Sequence, residues 1–573
     1  MGTDNALAHL LELTVGPSLL ACFLGGLLCL LARVRTLFAP LAQAEGRRHA
    51  IVLEAIVLLG GLLRFVVSPH VPLNLDDFLR GPGNVGEQGS MAATSTFFSA
   101  LFAVAGGPFR IEPVMPVMAA LGTLTLPLVF ALAARLSKDL WAAQAATMLL
   151  AILPLHERYS ASANPAPLMV FAIVAGLACL AAWADSRDGV LLAGGSLWLL
   201  FATLTHGEAR SIVLVAALLV LLRWPRGRDL RRSVLPFAIA LAVGLPVLLR
   251  LGSGHLPTGP GHELPPLTLS DLFHPVIAYA LHSGFQTPLL AVAALVGIFV
   301  GNRIGVLVCV AWTVALVLVF FLANQTEDNC IFGNARYFLG WLPALCILAG
   351  MAIGRFASLA GGRRPSWRGP AAAMATGALV VAQLAHSGVA VYRAEWNDQL
   401  QWRFLARAVA DLPAGATVAL PPPASDCCIQ QVLSFDQIVR ARRPDVHLLD
   451  PPPPAKWDPR QLPADAVAFV GLSCYVGQAG TPRLSPDCRR LADEMRLDPL
   501  ATETIQNHPY FLYDPAEYLR WTADPTGVAG TLDLGLYRVH PRRQAGAQTG
   551  PGVGTAGAPA RPMPPGGRAD RGG

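Results

Sequence analysis

Residues 113–134 read PVMPVMAALGTLTLPLVFALAA, followed by the charged turn RLSKD at 135–139 and a second apolar run, LWAAQAATMLLAILPL, at 140–155. About 20 predominantly apolar residues suffice for one helix to cross the hydrocarbon core, where backbone polar groups must be satisfied within the segment itself. The first run meets that length. The turn, with Arg135 and Lys138, is the kind of basic connection that stays on the cytoplasmic side of a membrane. The same alternation extends in both directions and predicts further helices near 10–32, 50–68, 166–184, 189–205, 211–222, 233–250, 286–301, 304–323, 336–354 and 371–392.

Composition agrees with that reading. Of 573 residues, 53% are hydrophobic and 14% charged, against roughly 25% charged in soluble domains, so a soluble fold is excluded for the chain as a whole. Net charge is +6, carried almost wholly by arginine, since Lys138 and Lys456 are the lysines. Those arginines sit in alternate loops, so the charge reads as topology and implies no nucleic-acid partner. The start, MGTDNALAHLLELTVGPSLLACF, has neither a basic n-region nor a small-residue cleavage site, so the first run is expected to remain as a helix.

One set of loops carries Arg33, Arg35, Arg47, Arg48, Arg135, Lys138, Arg187, Arg223 to Arg232, Arg303, Arg355 and Arg363 to Arg368; the other holds Arg80, Arg110, Arg158, Arg210, Arg250 and Arg336. The first set is expected to be cytoplasmic. The N-terminus, the long loop 69–112, the loops near 156, 206, 252 and 324, and everything after 392 then face outward. The expected fold class is therefore mainly α: a polytopic transmembrane bundle of about a dozen helices over 1–392, with an extracytoplasmic α/β domain over 393–540. In that domain the helical pattern EWNDQLQWRFLARAVADL precedes β-like runs ATVAL, VHLLD, AVAFVGL and LDLGLYRV. The Gly/Pro/Ala-rich tail 541–573 has no apolar periodicity and is expected to be disordered.

Cys22, Cys29, Cys179, Cys309 and Cys346 fall in apolar helices and read as small buried hydrophobes. Cys427, Cys428, Cys474 and Cys488 fall in the outer domain, where an oxidising compartment favours one or two disulfides with three full pairings open. No C-x-x-C pair marks a metal site. Asn324-Gln325-Thr326 has the form of a glycosylation sequon, to which little weight attaches.

The loop SPHVPLNLDDFLRGPGNVGEQGSMAATSTFF carries the adjacent acids Asp76 and Asp77. Two neighbouring carboxylates at a membrane surface suit general-base work, one removing a proton from an acceptor hydroxyl while the other orients it or holds a cation. An ordinary solvated acidic loop or a helix N-cap would have the same sequence.

Three stretches carry a resemblance: LLRFVVSPHVPLNLDD, the segment GGPFRIEP to HERYSASANP at 106–165, and NARYFLGWLPALCILAG at 334–350. Together they resemble the GT-C fold of membrane glycosyltransferases, in particular the bacterial family 39-like proteins related to protein O-mannosyltransferases and aminoarabinose transferases. The chain departs from that pattern in having GEQGSMAATSTFF where a His/Lys-Pro-Pro element is usual, and in an added N-terminal helix. The resemblance implies an inverting glycosyl transfer at the outer face of a bacterial cytoplasmic membrane. Asp76 matches the catalytic acid and Asp77 stands where Glu is usual. The donor would be a polyprenyl-phosphate-linked sugar, the acceptor a glycan, lipid or protein. The resemblance fixes no cofactor and leaves a divalent cation open.

A lipid-phosphate leaving group needs cations, and arginine's planar fork suits phosphate oxygens. The candidates are Arg158, Arg336, Arg210 and Arg110, with Arg64 inside the second helix near its outer end. His156 and Glu157 would complete a polar site beside Arg158, too few ligands to specify a metal. A transporter or flippase of lipid-linked glycans, or a non-catalytic envelope scaffold, are the alternatives. A transporter would place polar groups near the bilayer midplane, and here they gather at helix ends.

Overall fold

The computed structural model describes residues 2–42, 46–70, 92–104, 112–205, 207–223, 231–253, 289–323, 335–387 without 363, 390–393, 395, 397–422, 439, 442–449, 457–476 without 464, 482–507 and 530–541. Asp76, Asp77, Arg110, Cys427, Cys428, the sequon at 324 and the tail lie outside these residues. The chain is a membrane protein, mainly helical, with a C-terminal region built partly of sheet.

The helices are α1 (Gly2–Ala32), α2 (Gly46–Leu62), α3 (Ala92–Val104), α4 (Val114–Ser137), α5 (Leu140–Ile152), α6 (Pro154–Ser160), α7 (Ala166–Ser186), α8 (Gly189–Thr203), α9 (Ile212–Leu222), α10 (Arg231–Ser253), α11 (Leu290–Val300), α12 (Arg303–Ala323), α13 (Leu342–Gly361) and α14 (Arg368–Ser387). Each apolar run read from the sequence holds one of them. By length and composition, five segments are long and apolar enough to cross a membrane: Leu13–Ala32, Gly46–Val67, Val114–Ser137, Ala166–Ser186 and Phe338–Gly361. The others are shorter.

The expected loop 69–112 needs correction, because α3 occupies part of it. Its 13 residues rise about 20 Å, too short to span the bilayer, which is why a search for spans passes over them. The helix is docked rather than spanning. Ala93 N–H donates to the Leu204 carbonyl and the Thr94 hydroxyl to that of Thr205, fixing its start against the end of α8.

Helix α7 lies at the centre, with every residue from Ala166 to Ala184 buried, and α4 and α8 pack on it. A helix apolar all round can be stable only where neighbours or lipid cover all of it. Around it, α13 packs on α5 and α11, and α8 on α1 and α10. Small residues set the closest approach: a Cβ on Gly350 would strike the Ala142 carbonyl, so glycine lets α13 and α5 touch backbone to backbone. Leu28, Leu58, Val66, Leu214, Val292 and Phe299 point outward and exposed, the surface that a bilayer would cover.

After the bundle comes α15 (Asn397–Ala408), then strands β1 (Thr417–Ala419), β2 (His447–Leu449), β3 (Val467–Val470), β4 (Tyr475–Val476), β5 (Arg483–Leu484), helix α16 (Pro486–Glu494), β6 (Met495–Gln506) and β7 (Thr531–Pro541). The main sheet has order β2-β1-β3-β7-β6, parallel across β2, β1 and β3 and antiparallel from β3 to β6. The four runs read as strands are β1, β2, β3 and β7. Sequence reading passed over β6, MRLDPLATETIQ, because a mid-strand proline argues against pairing. Here the register shifts between Pro499 and Ala501, so a bulge absorbs the missing donor. Cys474 pairs with Cys488, choosing among the pairings left open.

Candidate functional site

The two ends of the bundle differ. At one end the basic loops meet: Arg33 pairs with Asp188 at 2.5 Å, Lys138 and Arg223 share Asp185 at 3.5 and 3.2 Å, and Arg368 pairs with Asp139 at 2.8 Å. Five loops assigned to one side by charge are thereby tied together.

The other end is built around Arg64. Helix α2 closes in a π-helical turn, Leu63–Val67, whose extra residue turns Arg64 inward instead of toward lipid. Two glycines leave room for it: a Cβ on Gly60 would stand 3.1 Å from its Nη1, and one on Gly122 would stand 3.2 Å from its Nε and strike the Ser160 hydroxyl. The guanidinium is fully buried. Its Nη1 donates to the carbonyls of Gly60 at 2.8 Å and Ala151 at 3.2 Å, and Nη2 lies 2.7 Å from His156 Nδ1.

His156 comes from α6, which starts at Pro154 after Leu153 in extended conformation, as a residue before proline prefers. Proline at the first helical position lets the chain restart immediately, so α5 and α6 form a broken helix whose second part carries His156, Glu157 and Arg158. All three are buried. Arg158 donates from Nη1 to the Tyr392 carbonyl at 3.2 Å and from Nη2 to Gln399 Oε1 at 2.5 Å, while the Tyr392 hydroxyl donates to the Ile152 carbonyl at 2.5 Å.

Glu157 lies outside the candidate spans, and its carboxylate is buried, with the Ser68 side chain beside it. Burial pushes its carboxyl up to about 7, against the opposing pull of the Arg158 and Arg64 charges. An acid held there can take or release a proton near neutrality.

Next to this layer, a cleft of about 680 Å³ runs between the end of α2 and the sheet region, lined by Val66, Ser68, Arg393, Glu395, Arg403 and the Glu503–Gln506 end of β6 among others. Arg403 pairs with Glu395 at 2.6 Å. Ser68 is buried at the cleft's inner wall.

The structure thus brings Arg64, His156, Glu157 and Arg158 into one layer. Arg210 is half-buried in the 3₁₀ turn Gly207–Ser211, and Arg336 lies in the 3₁₀ turn Ala335–Trp341. Tyr392, Gln399, Arg393 and Arg403 were not singled out by sequence, since they fall at or beyond the end of the last apolar run. The polar alternation Asn397-Asp398-Gln399-Leu400-Gln401 in an otherwise amphipathic helix was the available signal. Among the described residues no group of three or more His, Cys, Asp and Glu is placed to hold a metal ion.

Residues 116–225 match the model of a family described as dolichyl-phosphate-mannose-protein mannosyltransferase. That stretch runs from α4 through α9 and includes α6. Among solved structures, the chain is similar to the oligosaccharyltransferase of Archaeoglobus fulgidus in complex with zinc and sulfate, at 13% identity and TM-score 0.42, covering 67% of this chain and 61% of that one. It is similar to apo ArnT from Cupriavidus metallidurans at 12% identity and TM-score 0.47, covering 80% and 97%, and to mycobacterial arabinofuranosyltransferase AftD at 14% and 0.44, covering 87% and 40%. The chain thus spans about three fifths of the archaeal enzyme's length. A search of curated proteins finds no match. The family match overlaps one of the three stretches that carry the motif resemblance, the segment 106–165.

Proposed function

We propose that this chain is a membrane glycosyltransferase of the GT-C type, moving a sugar from a polyprenyl-phosphate donor to a glycan, lipid or protein acceptor. The observation that carries this reading is the charged layer on α6, which lies inside the segment matching the mannosyltransferase family and beside a polar cleft at the bundle's end. In this reading, residues 1–392 form the membrane domain, 393–540 the soluble domain, and 541–573 a tail. The arginine-poor loops and the soluble domain face the periplasmic side of a bacterial inner membrane.

Asp76 takes the proton of the acceptor hydroxyl as its oxygen attacks the anomeric carbon from the face opposite the phosphate. The bond from that carbon to the phosphate oxygen breaks, the electron pair leaves with the lipid phosphate, and configuration inverts. Asp77 orients Asp76 or the acceptor. Arg110, Arg210 and Arg336 contact the departing phosphate directly. Arg64 and Arg158 spend N–H groups on protein partners and so contribute positive field from beneath, with His156 and Glu157 completing the layer.

Incubating purified protein with radiolabelled polyprenyl-phosphate sugars tests this. Transfer by the parent and a loss of about 10²-fold or more in Asp76→Asn is expected, the usual contribution of a general base. Equal transfer by both proteins removes Asp76 from the mechanism.

A further inference from the structure

Helix α15 is the first element of the sheet region, yet three of its polar side chains, Asn397, Gln399 and Gln401, are buried. Each reaches a different element. Gln399 Oε1 accepts from Arg158 in the bundle at 2.5 Å; Asn397 Nδ2 donates to Asn507 Oδ1, just past β6, at 2.8 Å; Gln401 Oε1 accepts from Leu472 N–H, just past β3, at 2.7 Å. Gly471 accommodates the last of these, for a Cβ there would stand 2.5 Å from Gln401 Oε1. Alternate positions on a helix point about 200° apart, so this spacing serves a helix clasped from several sides rather than one lying on a surface.

The consequence lies in the cleft. One wall is the end of α2, packed on the layer that holds Arg158; the other is the end of β6, anchored through Asn507. We propose that Asn397, Gln399 and Gln401 are positioning residues that hold the sheet at a fixed distance from the bundle and so set the width of this cleft, where an acceptor lies alongside the reacting centre. The acceptor clause rests on the transferase reading; the mechanical claim stands apart from it. Apolar contacts alone would permit sliding, whereas a buried hydrogen bond to a charged group specifies one register, because breaking it takes a buried acceptor from the Arg158 guanidinium.

The test uses the full chain carrying Val67→Cys and Gln506→Cys on opposite walls, treated with a short rigid bis-maleimide, and the joined peptides counted by mass spectrometry. Gln399→Leu is expected to lower the yield about tenfold, the shift in equilibrium that loss of one hydrogen bond to a charged group allows. Gln399→Glu, which still accepts from Arg158, restores it. Gln401→Leu, which leaves the Arg158 bond intact and removes one of the two bonds to the sheet, lowers it as well, and decides the matter if Gln399→Leu fails to fold. Unchanged yield in the folded leucine variants, or an equal fall in Gln399→Glu, overturns the proposal. In the transfer assay Gln399→Leu raises the acceptor KM about tenfold with donor KM unchanged, by the same arithmetic. Absence of any transfer in the parent refutes the transferase reading and leaves the cross-linking result to stand alone.

Discussion

The two ends of the helical bundle use the same residue, arginine, in opposite ways. At the basic end Arg33 and Arg368 are partly open to solvent and meet acids from neighbouring loops, Asp188 and Asp139, while Arg135 between those loops is buried. At the other end Arg64 and Arg158 are buried and bond mostly to carbonyls and an amide, while the nearby acid, Glu157, accepts from neither. An exposed pair relieves little strain when it forms. A buried cation has already lost its water, so the protein must supply fixed dipoles, and a cation so supplied cannot be removed without leaving them unmet. The exposed pairs at one end are therefore tolerant and the buried cations at the other committed, which is where a site that must hold charge ready would be placed.

Substitutions at both ends test that contrast. The largest effect is expected for Arg158→Met, which strips Glu157 of its strongest opposing charge and frees Gln399: about 3–5 kcal/mol, read as lost thermal stability of the solubilised protein. Gly122→Leu should cost about 1–3 kcal/mol by pressing on Ser160 and Arg64. Glu157 adds a pH dependence. Because its folded value is raised from an ordinary 4.5 to about 7, the folded protein binds the proton more tightly than the unfolded chain. Its contribution is full below about 4.5 and is lost as pH rises toward 7, so the parent should be less stable at pH 8 than at pH 5, with Glu157→Gln flattening that slope. The smallest effect belongs to Arg33→Met, at most about 1 kcal/mol, as for other exposed pairs. If Arg33→Met proved as costly as Arg158→Met, the distinction between the ends would collapse.

Most of the bundle could be read from apolar length and loop charge, since both follow from the solvent. Helix α3 could not, because a short docked helix obeys no length rule and its Ser and Thr residues resemble loop composition. The strand β6 hid behind Pro499, whose bulge shows only when β7 lies beside it. At the site, Arg64 was picked out as a charge inside an apolar helix, and His156, Glu157 and Arg158 as polar residues of an outward-facing loop, which the structure instead makes a buried helix. Their partners were harder: Gln399 and Tyr392 lie more than 200 residues downstream of Arg158, and nothing local in EWNDQLQ says that its glutamines face α6. Asp76 and Asp77 remain expectations drawn from resemblance, outside the described residues.

The bond between Cys474 and Cys488 closes a stretch that holds β4, β5 and the start of α16. Making that bond takes two electrons away from the chain, so the corner can mature only after meeting an oxidant. Closing that corner is therefore a chemical step distinct from the packing of the helices. For anyone producing this protein, the choice of reductant in the purification buffer decides whether that corner survives.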